Sequence, residues 1–529
     1  MKDKKNSSPN LNEELKQVEK RLLQLIQKRT KLLSKIARHR MEQNKSPIDT
    51  YLEKTLWNIW KKHLQGENQR FFRQLFSILN NTSYSKAESK KSSDKPFCLY
   101  PKTHPINFST SAPLSLFQAT VSVVLSTIST TETHIEPFPL NDPLVELIKA
   151  LNQAGGRISW QEDSLHAGPA NLTFEGKSFF LGEHETTLYF MLALALTEAG
   201  SCKLNASPGL KILNLKPLQD FLPQLGARLT SIEPQSYNLP ARLECSGKIP
   251  SEITIPSTIS PFLGIGLIFT SLLLNKKLKI TFANLPKEIV ELDYLLQKWG
   301  VSIQTEDSTI TVSPSELKCP VPFSLEADPL LSAHLLVLPY ITSGSVKLEG
   351  IWPGYSPRAK FVEKLFQEIG LNFNPSDFTS QHNKALSSQF SFDLEDFKEF
   401  FPFVLALAII QKNKAIIYHQ LEDSLLEPGL ELLSFLNFNF KTHPEYLEIE
   451  YSGEKNKTNK VWTSPSALWT LSYGLISFKF KGICLENPGS ITQIWPKFWK
   501  IFQSIPFGQV ERKIEEQKGE PSRRRIRIG

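Results

Sequence analysis

The chain has 529 residues, 40% of them hydrophobic, and a formal net charge of +8. That length suits about three domains with large buried cores. Its five cysteines, Cys98, Cys202, Cys245, Cys319 and Cys484, are scattered with no CxxC spacing, so neither a zinc site nor a disulfide framework is expected. The positive charge is uneven: residues 1–100 carry 22 basic and 10 acidic side chains and residues 511–529 carry 7 and 4, which leaves the body between them at about −7. Basic ends of this kind read as a solvated helix face or a tail. Aromatic interleaving and RNA-binding signatures are absent, so no nucleic-acid partner is expected.

No charged-then-apolar leader opens the chain. The longest apolar run, Ile259 to Leu274, is short for a membrane span and holds Pro261, Gly264 and Gly266, so it reads as a buried core helix. The expectation is a soluble, cytoplasmic protein with no membrane partner. Glu183-His184-Glu185 is the nearest approach to a metal motif, but adjacent residues alternate faces and cannot converge. No metal and no cofactor are expected.

In chain order, Leu11 to Arg40 reads as one long helix with Leu15, Val18, Leu22, Leu25, Leu32 and Ile36 on its stripe. Ser46-Pro47 interrupts it, Ile48 to Leu64 forms a second helix and Asn68 to Leu79 a third. Residues 84–97 have linker composition, rich in Ser and Lys. Beyond them one unit recurs. In Pro208–Leu229 a helical stripe of Leu218, Phe221, Leu222 and Leu225 stops at Gly226 and gives way to a strand start. The same helix–turn–strand pattern surrounds Gly156, Gly300, Gly370 and Asn437, at a pitch of roughly 70 residues. The fold class expected is α+β and multidomain, with a helical N-terminal module before a two-domain body of repeated βαβαββ units. The last residues, 506–529, form a basic tail.

The helical module (1–83) resembles the all-helical chorismate mutase domain, through RLLQLIQKRTKLLSKIARHR (21–40) and IDTYLEK (48–54). That family clamps a doubly carboxylated ether between cations and draws electrons toward the breaking bond. The resemblance implies that Arg29 binds a substrate carboxylate, that Arg40 donates to the ether oxygen, and that Asp49, Glu53 and Ser83 complete the site. Asn12, Leu52 and Ala87 stand where that family has polar or cationic ligands.

The body resembles the 5-enolpyruvylshikimate-3-phosphate (EPSP) synthase family over about residues 98–505. PINFSTS (105–111), LGEHETTLYFMLALAL (181–196), the 208–229 stretch, SLEADPLLSAHLL (324–336) and ENPGSITQIWPKFW (486–499) carry the likeness. It implies one domain from 98–112 with 326–505 and a second from 113–325. It also implies transfer of enolpyruvyl from phosphoenolpyruvate to shikimate 3-phosphate. Ser111, Lys211 and Ser260 fall on substrate-binding positions, Glu399 on the general-base aspartate and Glu427 on the acid of the family's KETDR run.

Four anionic groups converge in such a cleft, and the family meets them with arginines and lysines. Here Ala112, Phe117, Tyr189, Gly209, Leu213 and Gln493 occupy cationic positions. The expectation is a shikimate-pathway protein with an eroded transferase site. Its partners would be shikimate 3-phosphate, phosphoenolpyruvate or chorismate, and a second copy of the chain through the N-terminal helices. Two alternatives remain: a non-catalytic dimeric scaffold or chorismate-sensing regulator, and residual chorismate mutase in the first module.

Overall fold

The computed structural model describes residues 11–43, 49–63, 72, 75–76, 79–80, 83, 97–101, 105–233, 236–313, 315–321, 323–382, 390–394, 397–452 and 461–505. The expected linker up to residue 96, Ala87 and the 506–529 tail lie outside them, as does most of the expected third helix. The chain divides into two compact units, Met1–Pro96 and Phe97–Gly529.

The first unit is helical. Leu11–Glu42 and Thr50–His63 are its long helices, and Phe72, Phe76, Asn80 and Ser83 are helical as well. Asp49 starts the second helix: its side chain accepts from the N–H groups of Leu52 (3.0 Å) and Tyr51 (3.1 Å), satisfying donors that a helix start leaves open. Leu33 and Ala37 are buried against Leu52, and Phe76 packs edge-on to Trp60 at 5.4 Å. The expected stripe is therefore not the one that packs within the unit. Leu15, Val18, Leu22, Leu25, Leu32 and Ile36 are all exposed, Leu25 at 64%. Periodicity found an apolar face, but the small residues Ser34 and Ala37 offer closer helix approach on the adjoining flank.

Six sheets are found among the described residues of the body, and four share one strand order. Ser178–Phe180 runs parallel to Ala199–Asn205, and the hairpin of Ala227–Ser231 and Ala241–Ser246 adds antiparallel beyond it. Glu252–Ile255, Leu278–Phe282, Ile303–Glu306 and Thr309–Val312 repeat this, as do Phe390–Asp393, Ala415–Tyr418, Phe438–Thr442 and Tyr446–Tyr451. In the fourth, Ile106–Ser111 pairs in parallel with Gly344–Glu349, far along the chain. The helix–strand turns use left-handed backbone at Gly226, Gly300, Gly370 and Asn437. In the remaining unit it is Gly155 (φ 114°), one residue earlier than expected, that takes this role.

Two apolar clusters organise these sheets. One runs from Ala119 to Leu325; the other takes Leu99 to Ala112 and Ala327 to Ile505. Each is centred on helices that are apolar on every side and so buried along most of their length. In the first, Pro261–Leu273 packs on Glu185–Ala195, as the unbroken apolar run suggested. Gly266 makes the approach possible, since a Cβ there would sit 2.7 Å from Ala193 Cβ. In the second, Phe401–Gln411 packs on Ala467–Ile476. Among the described residues, proline is the first residue of four of the body's α-helices, at Pro208, Pro261, Pro329 and Pro357, where a missing N–H costs nothing.

The chain passes between the clusters twice, and the two passages lie side by side. Ser115 N–H donates to Glu326 O and Asp328 N–H to Pro113 O, both at 2.8 Å. The cysteine expectation needs correction: Cys98 and Cys484 form a disulfide, 386 residues apart in sequence. They face each other in register on the antiparallel strands Phe97–Leu99 and Ile483–Leu485. Spacing along the chain carries no trace of such a pairing. Among the described residues no helix is long and apolar enough to cross a membrane.

Candidate active site

Glu326, 1% exposed, has both carboxylate oxygens occupied: Gln118 Nε2 (2.8 Å) and Tyr355 OH (2.6 Å) donate to Oε2, and Lys298 Nζ (3.0 Å) to Oε1. Gln118 comes from the Leu116–Ile128 helix, whose N-cap is Ser115, and Lys298 ends the Glu288–Lys298 helix. Tyr355, from the other cluster, stacks on Tyr294 of that same helix at 3.8 Å. Burial and the acceptor carboxylate of Glu326 both push the Tyr355 phenol up, so it stays a donor.

One turn along, the Glu288–Lys298 helix meets the start of the Pro357–Glu368 helix. Arg358 Nη2 donates to Glu288 Oε1 at 2.7 Å, its Nε to Glu399 Oε1 at 3.0 Å, and its Nη1 lies 3.8 Å from Glu291 Oε1. Ser356 Oγ donates to Glu291 at 2.6 Å. Burial alone would depress the Arg358 guanidinium, but Glu288, Glu399 and Glu291 outweigh it and hold it protonated. Burial raises Glu291, against Arg358 and the Ser356 hydroxyl, and raises Asp328, against the Leu331 N–H that it caps. One arginine thus ties three carboxylates from both clusters. A cavity of about 710 Å³ opens beside it, lined by Ile255, Ser257, Pro261, Asn284, Lys287, Glu288, Arg358 and Glu399 among others. Lys287 Nζ sits 3.9 Å from the centre of the Phe397 ring.

Of the sequence-predicted residues, Glu399 lies in this cavity with one oxygen on Arg358, and Ser260 takes the N-cap position of the Pro261–Leu273 helix, between the lining residues Ile259 and Pro261, without a side-chain cap bond. The Ser260 backbone bonds the phenol of Tyr189, which burial and then Glu185 push up to about 12. Ser111, Lys211 and Glu427 are not among the lining residues. Ser111 is exposed at the end of its strand, opposite Glu349; the Lys211 carbonyl accepts from Asn238 Nδ2 at 3.0 Å; Glu427 is exposed on the Asp423–Phe435 helix. Arg358, Glu291 and Tyr355 were missed. Ser356-Pro357 marks a helix start beside Arg358, but no sequence signal singles out any of the three.

In the helical unit the expected residues fall into separate contacts. Arg29 Nη2 donates to Asn80 Oδ1 (2.6 Å), Asn80 Nδ2 donates to Glu53 Oε1 (3.0 Å), and the Arg29 guanidinium covers the Phe76 ring at 5.2 Å. Arg40 pairs with Asp49 at 2.7 Å. The Leu52 N–H, with help from Arg40, holds the Asp49 carboxyl below its ordinary value. Ser83 Oγ donates to Leu79 O and its own carbonyl accepts from Ser34 Oγ at 2.7 Å, a helix–helix tie. Asn80, which joins Arg29 to Glu53, was missed.

Comparison with known proteins bears on the body. The family model for EPSP synthase (3-phosphoshikimate 1-carboxyvinyltransferase) matches residues 113–422. A 3-phosphoshikimate 1-carboxyvinyltransferase 2 from Halalkalibacterium halodurans is 20% identical over 425 residues, covering 77% of this chain and 94% of the relative. The 3-phosphoshikimate 1-carboxyvinyltransferase of Shewanella denitrificans is 22% identical over 404 residues, 73% of this chain and 93% of its own. Among solved structures, an EPSP synthase from Acinetobacter baumannii superposes with a TM-score of 0.65 at 13% identity, over 78% of this chain and 99% of that one. The enolpyruvyl transferase NikO from Streptomyces tendae superposes at 0.57, also at 13% identity, over 78% and 97%. The family model spans more than half of the chain and the fold is shared: the chain belongs to the EPSP synthase family.

Proposed function

We propose that this protein serves the shikimate pathway with a body that has lost enolpyruvyl transfer, and that its helical module pairs two copies of the chain. In this reading each apolar cluster is a domain, 98–112 with 326–505 and 113–325, and the cavity between them is the descendant of the transferase cleft. Ser111, Lys211 and Ser260 are relics of substrate binding, and Glu399 and Glu427 of the acid–base pair. The observation that carries the proposal is the occupation of Arg358. Shikimate 3-phosphate and phosphoenolpyruvate need unengaged cations, because an anion in a dry pocket without counter-charge costs several kcal/mol. The cavity offers Arg358, already tied to Glu288 and Glu399, and Lys287, set over Phe397. Phosphate release from purified protein given both substrates tests it. No release above a no-shikimate control is expected; steady release at a typical enzyme rate, about 1–1,000 per second, overturns the loss.

Dimerisation rests on the exposed stripe. Leu15, Val18, Leu22, Leu25, Leu32 and Ile36 follow alternating steps of three and four residues; the position left over is Arg29, whose guanidinium is engaged by Asn80 and Phe76 of its own unit. That is the seam of a two-helix packing, and monomers seldom leave such a seam in water. A second reading, residual chorismate mutase, is favoured by the Arg29–Asn80–Glu53 chain, which holds a cation and a carboxyl in one polar cluster. Chorismate turnover that Arg40→Ala leaves unchanged would sink it.

A further inference from the structure

The sheet of Thr133–Ile135, Arg157–Gln161 and Ser164–Gly168 buries one face and exposes the other. On the exposed face His134 and His166 stand opposite each other in register on antiparallel strands. Their Nδ1 atoms are 3.2 Å apart, whereas the ring centres are 4.3 Å apart with planes inclined at 33°. The nitrogen-bearing edges therefore lean toward each other. The far nitrogen of His134, Nε2, lies 3.4 Å from Glu136 Oε2. A carboxylate there favours the tautomer with its proton on Nε2, which leaves the Nδ1 lone pair aimed at His166. Both rings line a surface cavity of about 680 Å³ shared with Glu132, Arg157 and Cys319.

We propose that His134 and His166 bind a borderline divalent transition-metal cation, of the zinc, nickel or copper class, through their Nδ1 atoms, with Glu136 as the positioning residue. Two nitrogens about 2.0–2.1 Å from a tetrahedral ion stand roughly 3.3 Å apart, close to the spacing already present. A carboxylate behind a ligating imidazole fixes the ring and raises its basicity. Among the described residues no group of three His, Cys, Asp or Glu side chains converges on one point, so water fills the other positions, open to the cavity. On binding, His166 carries its proton on Nε2 and presents Nδ1 to the ion.

The competing account is a plain hydrogen bond between the two rings. Calorimetric titration of metal-free, full-length protein with Zn²⁺, and electron paramagnetic resonance with Cu²⁺, separate them. The wild type is expected to bind one equivalent more than His134→Ala or His166→Ala, with a Cu²⁺ signal split by two imidazole nitrogens. Glu136→Gln should weaken that equivalent by about tenfold or more while keeping its stoichiometry. Equal stoichiometry in wild type and both histidine variants overturns the site, as does an equivalent lost in Cys319→Ser but kept in the histidine variants. The rings are exposed, so the variants should melt with the wild type; His166→Gln, which keeps a polar side chain, serves if one does not.

Discussion

In the body, helices that are apolar on every side, such as Pro261–Leu273 and Phe401–Gln411, are enclosed along all but their ends, and their grooves are filled by neighbours of the same unit. The Leu11–Glu42 helix also carries a stripe of large apolar residues, from Leu15 to Ile36, yet that stripe is exposed while Leu33, Ser34 and Ala37 face in. The contrast separates a region whose burial is complete within one chain from one whose burial is not. It also separates two uses of arginine. Arg358 locks two clusters of the body together, whereas Arg29 and Arg40 hold a small polar interior in which apolar packing is thin.

The sharpest way to break this contrast is to charge the stripe. Leu22→Glu with Leu25→Glu, counted on both copies, removes about 6 kcal/mol of apolar burial from a dimer. Equilibrium sedimentation should show a monomer, with the melting of the body unchanged. A wild type already monomeric at micromolar concentration would end the argument. The next effect belongs to the body. Gly266→Val forces a Cβ into the 2.7 Å gap beside Ala193 and should cost about 3 kcal/mol in urea unfolding, with no effect on oligomeric state.

Arg358→Met should cost about 2 kcal/mol at about pH 7.5, less than for a fully buried pair, because Arg358 is 24% exposed. The pH dependence follows from Glu291 and Asp328, both raised by burial. A raised carboxyl favours the folded state below its unfolded value and loses that contribution as pH rises through its folded value. Without Arg358 those carboxylates lack their counter-charge, so the deficit should shrink on acidification to about pH 5. A deficit independent of pH would mean that the arginine acts by packing alone. The smallest effect is at Ser115, whose Oγ accepts from Gln118 N–H at 3.3 Å: Ser115→Ala should cost about 1 kcal/mol.

Much of the fold could be read from residues close together in sequence. The glycine or asparagine that ends each repeated helix is set by local backbone sterics, so Gly226, Gly300, Gly370 and Asn437 announce themselves, and Gly155 is missed by a single residue in a Gly-Gly pair. Helices buried on all sides declare it through unbroken apolar runs. What could not be read is choice of partner. The stripe on Leu11–Glu42 was visible, but nothing local says that the adjoining, less apolar face of Leu33, Ser34 and Ala37 is the one covered. Arg358 meets Glu288, 70 residues earlier, and Glu399, 41 residues later, only because two clusters are brought together. Glu399 was singled out from resemblance, yet its carboxylate is committed to an arginine that no motif marked.

The Cys98–Cys484 bond turns the body into a covalent circuit, entered at its first strand and left near its last. A protease that cuts once at any point between those residues opens the circuit without dividing it. The nicked protein would run as a single molecule on a gel until a reductant is added. Only the stretches before Cys98 and after Cys484 can be shed by one cleavage, so the helical unit is separable from the rest by a single cut, and neither apolar cluster is.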